Sequence, residues 1–234
     1  MAVGAGGALA QRLVRPRVGL TVAGLASGFV SSAATIAAMG RLASAEPRVL
    51  AAAVSGATAS SVATFVQLAL LLGTSGSVLL RALAVPLCAG GIGAGVVAVV
   101  FARRAERAEA PPVRSGAAFR LVDAAMFAVL VTVISLVATM VQQRFGSGGL
   151  YVTAALSGFA DAHAFAGSAG ALVAREAVPV EAAALAVLMA TSSNAATKVV
   201  LAATSGPRGY LIRVLIGQAV VLASTWAGWL VARR

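Results

Sequence analysis

The chain has 234 residues, of which 60% are hydrophobic and 11% charged, and its mean hydropathy is +0.95. That balance excludes an ordinary water-soluble domain, which carries far more polar surface. The net charge of +11 would raise nucleic-acid binding in a soluble protein, but here arginines gather at the ends of apolar runs, as at Arg12, Arg15 and Arg17 or Arg103, Arg104 and Arg107; anionic lipid headgroups are the expected counter-charge, and no nucleic-acid partner is expected.

Hydropathy and turn signals together predict an all-α fold, a polytopic transmembrane bundle of about seven helices. In chain order the spans run from Val18 to Leu42, Val49 to Leu72, Val78 to Phe101, Ala118 to Val141, Tyr151 to Val173, Glu181 to Thr204 and Tyr210 to Val231. Each is long enough, at 1.5 Å per residue, to cross a hydrocarbon core of about 30 Å. A β-barrel would need alternating strands, whereas Ala125 to Met140 is apolar on every face. The breaks at Glu46-Pro47-Arg48, Gly73 to Gly76, Gly146 to Gly149 and Ser205 to Arg208 combine polarity with residues that continue a helix poorly. Arg103 to Ser115, with Pro111-Pro112, reads as a solvated linker, and its basic residues place it on the cytoplasmic side.

The resulting organisation is a basic N-terminal segment (1–17), a first three-helix repeat (18–102), a charged linker (103–117), a connecting helix (118–146) and a second three-helix repeat (147–234). The repeat rests on self-similarity. Ala26-Ser27-Gly28-Phe29 returns 130 positions later as Leu156-Ser157-Gly158-Phe159, and Ser60-Ser61-Val62-Ala63-Thr64 returns 133 positions later as Ser193-Asn194-Ala195-Ala196-Thr197. A three-residue insertion reconciles the two offsets, and Arg81 with Arg213, 132 apart, extends the match. The arginines before the first span and Ala43-Ser44-Ala45 after it resemble a signal peptide, but cleavage would remove the first part of one repeat, so retention is expected. In repeat-built transporters the substrate site lies near the bilayer midplane at the repeat interface.

A charged side chain at the centre of a spanning helix costs about 2.5 to 3.5 kcal/mol on insertion scales. Asp161 lies mid-way along the fifth span with His163 two residues on, and Lys198 lies in the sixth, one turn after Asn194. On a regular helix Asp161 and His163 point about 200° apart, so one site uses both only where the helix unwinds, as near Gly158. Their counterparts in the first half, Ser31, Ala33 and Phe65, carry no charge. The opposite signs of Asp161 and Lys198 favour an ion pair between them. The candidate ion- or solute-binding residues are therefore Asp161, His163, Asn194, Lys198, Ser31, Ser61 and Thr197. The bland alternative makes the charges a structural pair, Lys198 a snorkelling side chain, His163 a packing residue, and Ser31, Ser61 and Thr64 small residues that let helices approach.

Weaker signals are read structurally. Gly91, Gly93 and Gly95 sit inside an apolar helix and, like Gly24 and Gly28, suggest close packing. Arg120 and Asp123 form an expected interfacial pair, and Tyr151, Tyr210, Trp226 and Trp229 expected interface anchors. Cys88 stands alone, which rules out a disulfide within the chain. No nucleophile–base pair, metal-ligand cluster or phosphate loop appears, so no enzyme activity, cofactor or metal is expected.

Three segments carry a family resemblance: Gly28-Phe29-Val30-Ser31-Ser32-Ala33-Ala34-Thr35, Gly158-Phe159-Ala160-Asp161-Ala162-His163-Ala164, and Ser193-Asn194-Ala195-Ala196-Thr197-Lys198. In this order they resemble the domain of unknown function found at the C-terminus of larger MgtC/SapB-type bacterial membrane proteins. The resemblance implies a bacterial inner-membrane location and brings no established activity; in that family a second acidic residue often stands in the place of His163. The expected function is a secondary transporter or channel-like protein for a small ion or solute, with Asp161 and His163 binding a cation or proton and Lys198 as counter-charge. The alternative is a non-transporting scaffold or regulatory subunit. Small-residue faces suit either a homo-oligomer or another membrane protein as its partner.

Overall fold

The structure, a computed structural model, describes residues 19–75, 77–107, 140 and 149–233. The basic N-terminal segment, the linker beyond Arg107, the fourth predicted span apart from Met140, and the Arg120 and Asp123 pair lie outside the described residues. Among those described there are seven α-helices and no strands: α1 Gly19–Ala45, α2 Leu50–Ser75, α3 Ser77–Arg107, α4 Leu150–Ala160, α5 Ala162–Ala174, α6 Val180–Ser205 and α7 Arg208–Ala232. A 3₁₀ turn, Pro47–Val49, leads into α2 with Pro47 at its start, where a missing N–H does no harm.

Five of these elements, all but α4 and α5, are long and apolar enough to cross a membrane. Their outward residues are apolar too: Leu70, Val78, Ile92, Val96, Ile216 and Leu230 are each more than half exposed. Water would penalise such a surface and lipid does not, so the chain is a multi-pass membrane protein. The fifth predicted span is not one helix but two, α4 and α5, meeting at Asp161.

Other boundaries also differ from expectation. α2 runs through Gly73 to Ser75, because the Thr74 and Ser75 hydroxyls donate to the Leu71 carbonyl at 2.9 and 2.8 Å and so serve its last turn; one internal glycine costs only about 1 kcal/mol. α3 continues to Arg107, with Arg104 lying over the Phe101 ring at 5.1 Å. It also passes through Pro86, which leaves the Ala82 carbonyl without its helical donor.

Packing divides the chain into two compact units. The first holds α1, α2 as far as Phe65, α3 from Gly90, and Lys198–Val221. Its core is built from Ile36, Met39, Val54, Val97, Phe101, Tyr210 and Val214. Tyr210, expected at the membrane interface, is wholly buried there, and its hydroxyl donates to the Ile36 carbonyl at 2.7 Å. A phenol whose polar end finds a backbone acceptor gains more from the core than from the headgroups. α1 and α2 touch backbone to backbone, since a Cβ on Gly28 would lie 2.6 Å from the Ser60 Cα, and one on Gly24 would meet Gly56.

The second unit holds Val66–Ala89, α4, α5, α6 as far as Thr197, and the chain from Leu222. Leu68, Leu72, Leu79, Leu83, Val187 and Leu188 are fully buried, and Trp229 is buried as well. Here too a glycine sets the closest approach: a Cβ on Gly158 would lie 2.7 Å from the Ala190 Cα. Gly95, by contrast, has none of the described residues within 4 Å of its Cβ position, so it packs against none of them.

Replacing Gly158 by alanine is expected to destabilise the protein by about 2 kcal/mol, as overpacking against backbone does. Gly95→Ala should be neutral or stabilising by up to about 1 kcal/mol through helix propensity. Thermal unfolding in detergent, read by circular dichroism, separates the two, and equal midpoints would refute the packing role.

Candidate functional site

The site grows out of the close contact at Gly158. With α4 held against α6 there, the chain leaves helical geometry three residues later, at Asp161 (φ −160, ψ 111). The Asp161 N–H still reaches the Ser157 carbonyl at 2.7 Å. In an unbroken helix the His163 N–H would bond Phe159 O; instead it donates to Asp161 Oδ1 at 2.8 Å, so the carboxylate is the N-cap of α5. The released Phe159 carbonyl accepts from Thr197 Oγ1 of α6 at 2.9 Å. Two of the backbone groups released by the break are thereby satisfied, as a low-dielectric surrounding demands. The negative charge also sits at the positive end of the α5 dipole.

The same carboxylate oxygen binds the imidazole: His163 Nδ1 lies 2.7 Å from Asp161 Oδ1. Because a carboxylate only accepts, Nδ1 carries the proton. Nε2 is buried and has no partner among the described residues. The Asp161 side chain keeps 46% of its surface and His163 25%. Asn194 is buried on α6 and hydrogen-bonds to none of the described residues. It shares one helical face with Ala190 and Thr197, the two residues that meet Gly158 and Phe159. A carboxylate and an imidazole are thus gathered where the helix is broken, with Asn194 on the helix face packed against that break.

A second break lies within α1, at Ser31 (φ −163, ψ 110). Here a hydroxyl replaces the carboxylate: Ser31 Oγ accepts from the Ala34 N–H at 3.1 Å. Thr35 Oγ1 lies 2.8 Å from the Ser31 carbonyl and 2.9 Å from Ser27 Oγ. In this same unit Lys198, only 3% exposed, points its ammonium at Thr64 Oγ1 (3.1 Å) and Ser61 Oγ (3.4 Å) of α2. Gln218 Nε2 of α7 donates to Ser61 Oγ at 3.2 Å, and Thr64 Oγ1 donates to Ser32 Oγ at 3.0 Å.

The predicted residues therefore fall into separate groups. Asp161 and His163 are directly bonded, with Thr197 and Asn194 on the α6 face beside their helix break; Lys198 and Ser61 are bonded in the other unit; Ser31 caps its own helix. Within its own unit Asp161 is bonded to His163, and within its own unit Lys198 is bonded to Thr64 and Ser61. Lys198 does not snorkel to a headgroup, being buried. Gln218 was missed, although an amide inside an apolar 25-residue helix was the signal for it. Among the described residues no three His, Cys, Asp or Glu side chains could hold a metal together.

Thr197→Val keeps shape but strands the Phe159 carbonyl, and should cost about 1 to 3 kcal/mol in unfolding stability. Thr197→Ser should retain most of it, and a valine variant as stable as the parent would remove the proposed carbonyl partner. Neither the curated proteins nor the solved structures contain a match to this chain. The family model DUF4010, a domain of unknown function, matches residues 1–206, and the chain belongs to that family.

Proposed function

We propose that the protein is a secondary transporter or channel-like protein of the bacterial inner membrane, moving a small ion or solute past the helix break at Asp161. The observation that carries this reading is the half-exposed carboxylate at that break, with a His163 Nε2 that has no partner among the described residues beside it. A carboxylate in a spanning segment is costly unless something offsets its charge. The α5 N-terminus and His163 offset part of it; a cation or a proton would offset the rest. Broken helices at the midplane are a recurrent means of supplying such ligands.

An internal duplication supports the reading. Ser31 and Asp161 lie 130 positions apart and share backbone angles within a few degrees. The contacts of Gly28 with Ser60 and of Gly158 with Ala190 are also 130 apart, as are the starts of α2 and α6, both 26 residues long. One offset of 130 thus relates these elements. The two units exchange parts under nearly the same shift, since their boundaries at Phe65 and Thr197, and at Ala89 and Val221, are each 132 apart. The association with MgtC/SapB-type proteins rests on motif resemblance and lends no activity to this chain.

Purified protein in liposomes tests the proposal. Wild type should pass protons or one member of a broad cation and solute panel, and Asp161→Asn should lower that flux at least about tenfold, the equivalent of ~1.4 kcal/mol. Background flux for wild type and variant alike across the panel, with a stoichiometric partner recovered from native membranes, would replace this reading with the scaffold one.

A further inference from the structure

Lys198 takes no part in the cation or proton reading above, and its surroundings point to a different ligand. Its side chain reaches into a cluster drawn from four helices: Ser32 of α1, Ser61 and Thr64 of α2, Lys198 of α6 and Gln218 of α7. All five are less than a tenth exposed. A buried ammonium is ordinarily matched by a carboxylate, but among the described residues none contacts Lys198; its partners are two neutral hydroxyls.

The hydrogen bonds of the ammonium itself are incomplete among the described residues. An ammonium has three N–H donors and a primary amide two. Two of the Lys198 donors go to Thr64 and Ser61, and the third has no acceptor among the described residues. Ser61 Oγ already accepts from both Lys198 and Gln218, so its own hydrogen points elsewhere. Ser32 Oγ lies 3.0 Å from Thr64 Oγ1, whose hydroxyl also lies 3.4 Å from the Ser60 carbonyl. One Lys198 N–H and one positive charge taken out of water are thus left without a counterpart among the described residues.

We infer that Lys198, Ser61, Ser32 and Gln218 form a binding site for a small monovalent anion of halide size. One negative charge matches one ammonium, and a divalent anion would be left with an uncompensated charge. The donors are single N–H and O–H groups on separate side chains. They suit a spherical ion, whereas planar oxyanions favour the paired donors of arginine. A halide is also cheaper to strip of water than phosphate or sulfate, which matters at a site so deeply buried.

Thermal unfolding of the purified protein, followed as chloride replaces gluconate at constant ionic strength, provides the test. A ligand that binds only the folded state raises the midpoint with its logarithmic concentration. Chloride and bromide should do so and sulfate should not; Lys198→Gln should abolish the dependence, and Ser61→Ala should shift it to higher concentration. Bromide-soaked crystals of the unaltered protein give a readout independent of any variant's folding, with an anomalous peak expected in contact with Lys198 Nζ. A midpoint indifferent to halide together with no bromide peak at Lys198, or a chloride dependence that survives in Lys198→Gln, would overturn the inference. None of these outcomes depends on Asp161, so this site and the cation site stand or fall separately.

Discussion

A helix cannot be interrupted inside a membrane unless the backbone groups it releases find new partners, and this protein meets that constraint with side chains placed at the interruption. At Asp161 the carboxylate takes the His163 N–H and Thr197 takes the Phe159 carbonyl. At Ser31 the hydroxyl takes the Ala34 N–H. Each unsatisfied group would cost several kcal/mol in hydrocarbon, so these few bonds decide whether the breaks exist at all. The glycine contacts three residues before each break serve the same end, because they bring the neighbouring helix close enough to lend its side chains.

The difference between the two breaks is one of charge. Ser31 caps with a neutral oxygen, whereas Asp161 caps with a carboxylate that also holds an imidazole. A carboxylate is not required for capping, since serine does it about as well. The charge at Asp161 is therefore surplus to the structural need, and it is this surplus that the proposed cation or proton role uses. The first unit has its own surplus charge in Lys198, of the opposite sign and surrounded by hydroxyls.

Much of this was legible in the sequence, for identifiable reasons. The apolar runs placed five spanning helices, because length and hydropathy are local properties. Gly24 and Gly28 marked a close contact, and Asp161 and Lys198 stood out through the cost of inserting a charge into an apolar span. What was not legible was the local chemistry around each charge: Asp161 takes the His163 N–H and imidazole, and Lys198 the Thr64 and Ser61 hydroxyls. The break falls at Asp161 rather than Gly158 because the residue that caps determines the position, and glycine only permits the approach. Tyr210 was misplaced because hydropathy locates a tyrosine near a helix end without revealing that a carbonyl awaits it in the core.

The central claim is that the Asp161 carboxylate holds the start of α5 in place. Site-resolved hydrogen exchange in lipid nanodiscs addresses it directly, by comparing the amide of His163 with that of Ala169 deeper in α5. Asp161→Ala should speed exchange at His163 by about fivefold or more, from a lost cap of ~1 kcal/mol, and leave Ala169 little changed. Asp161→Ser, which installs the residue found at the other break, should restore the slow rate. Exchange at His163 that is indifferent to the residue at position 161 would contradict the account.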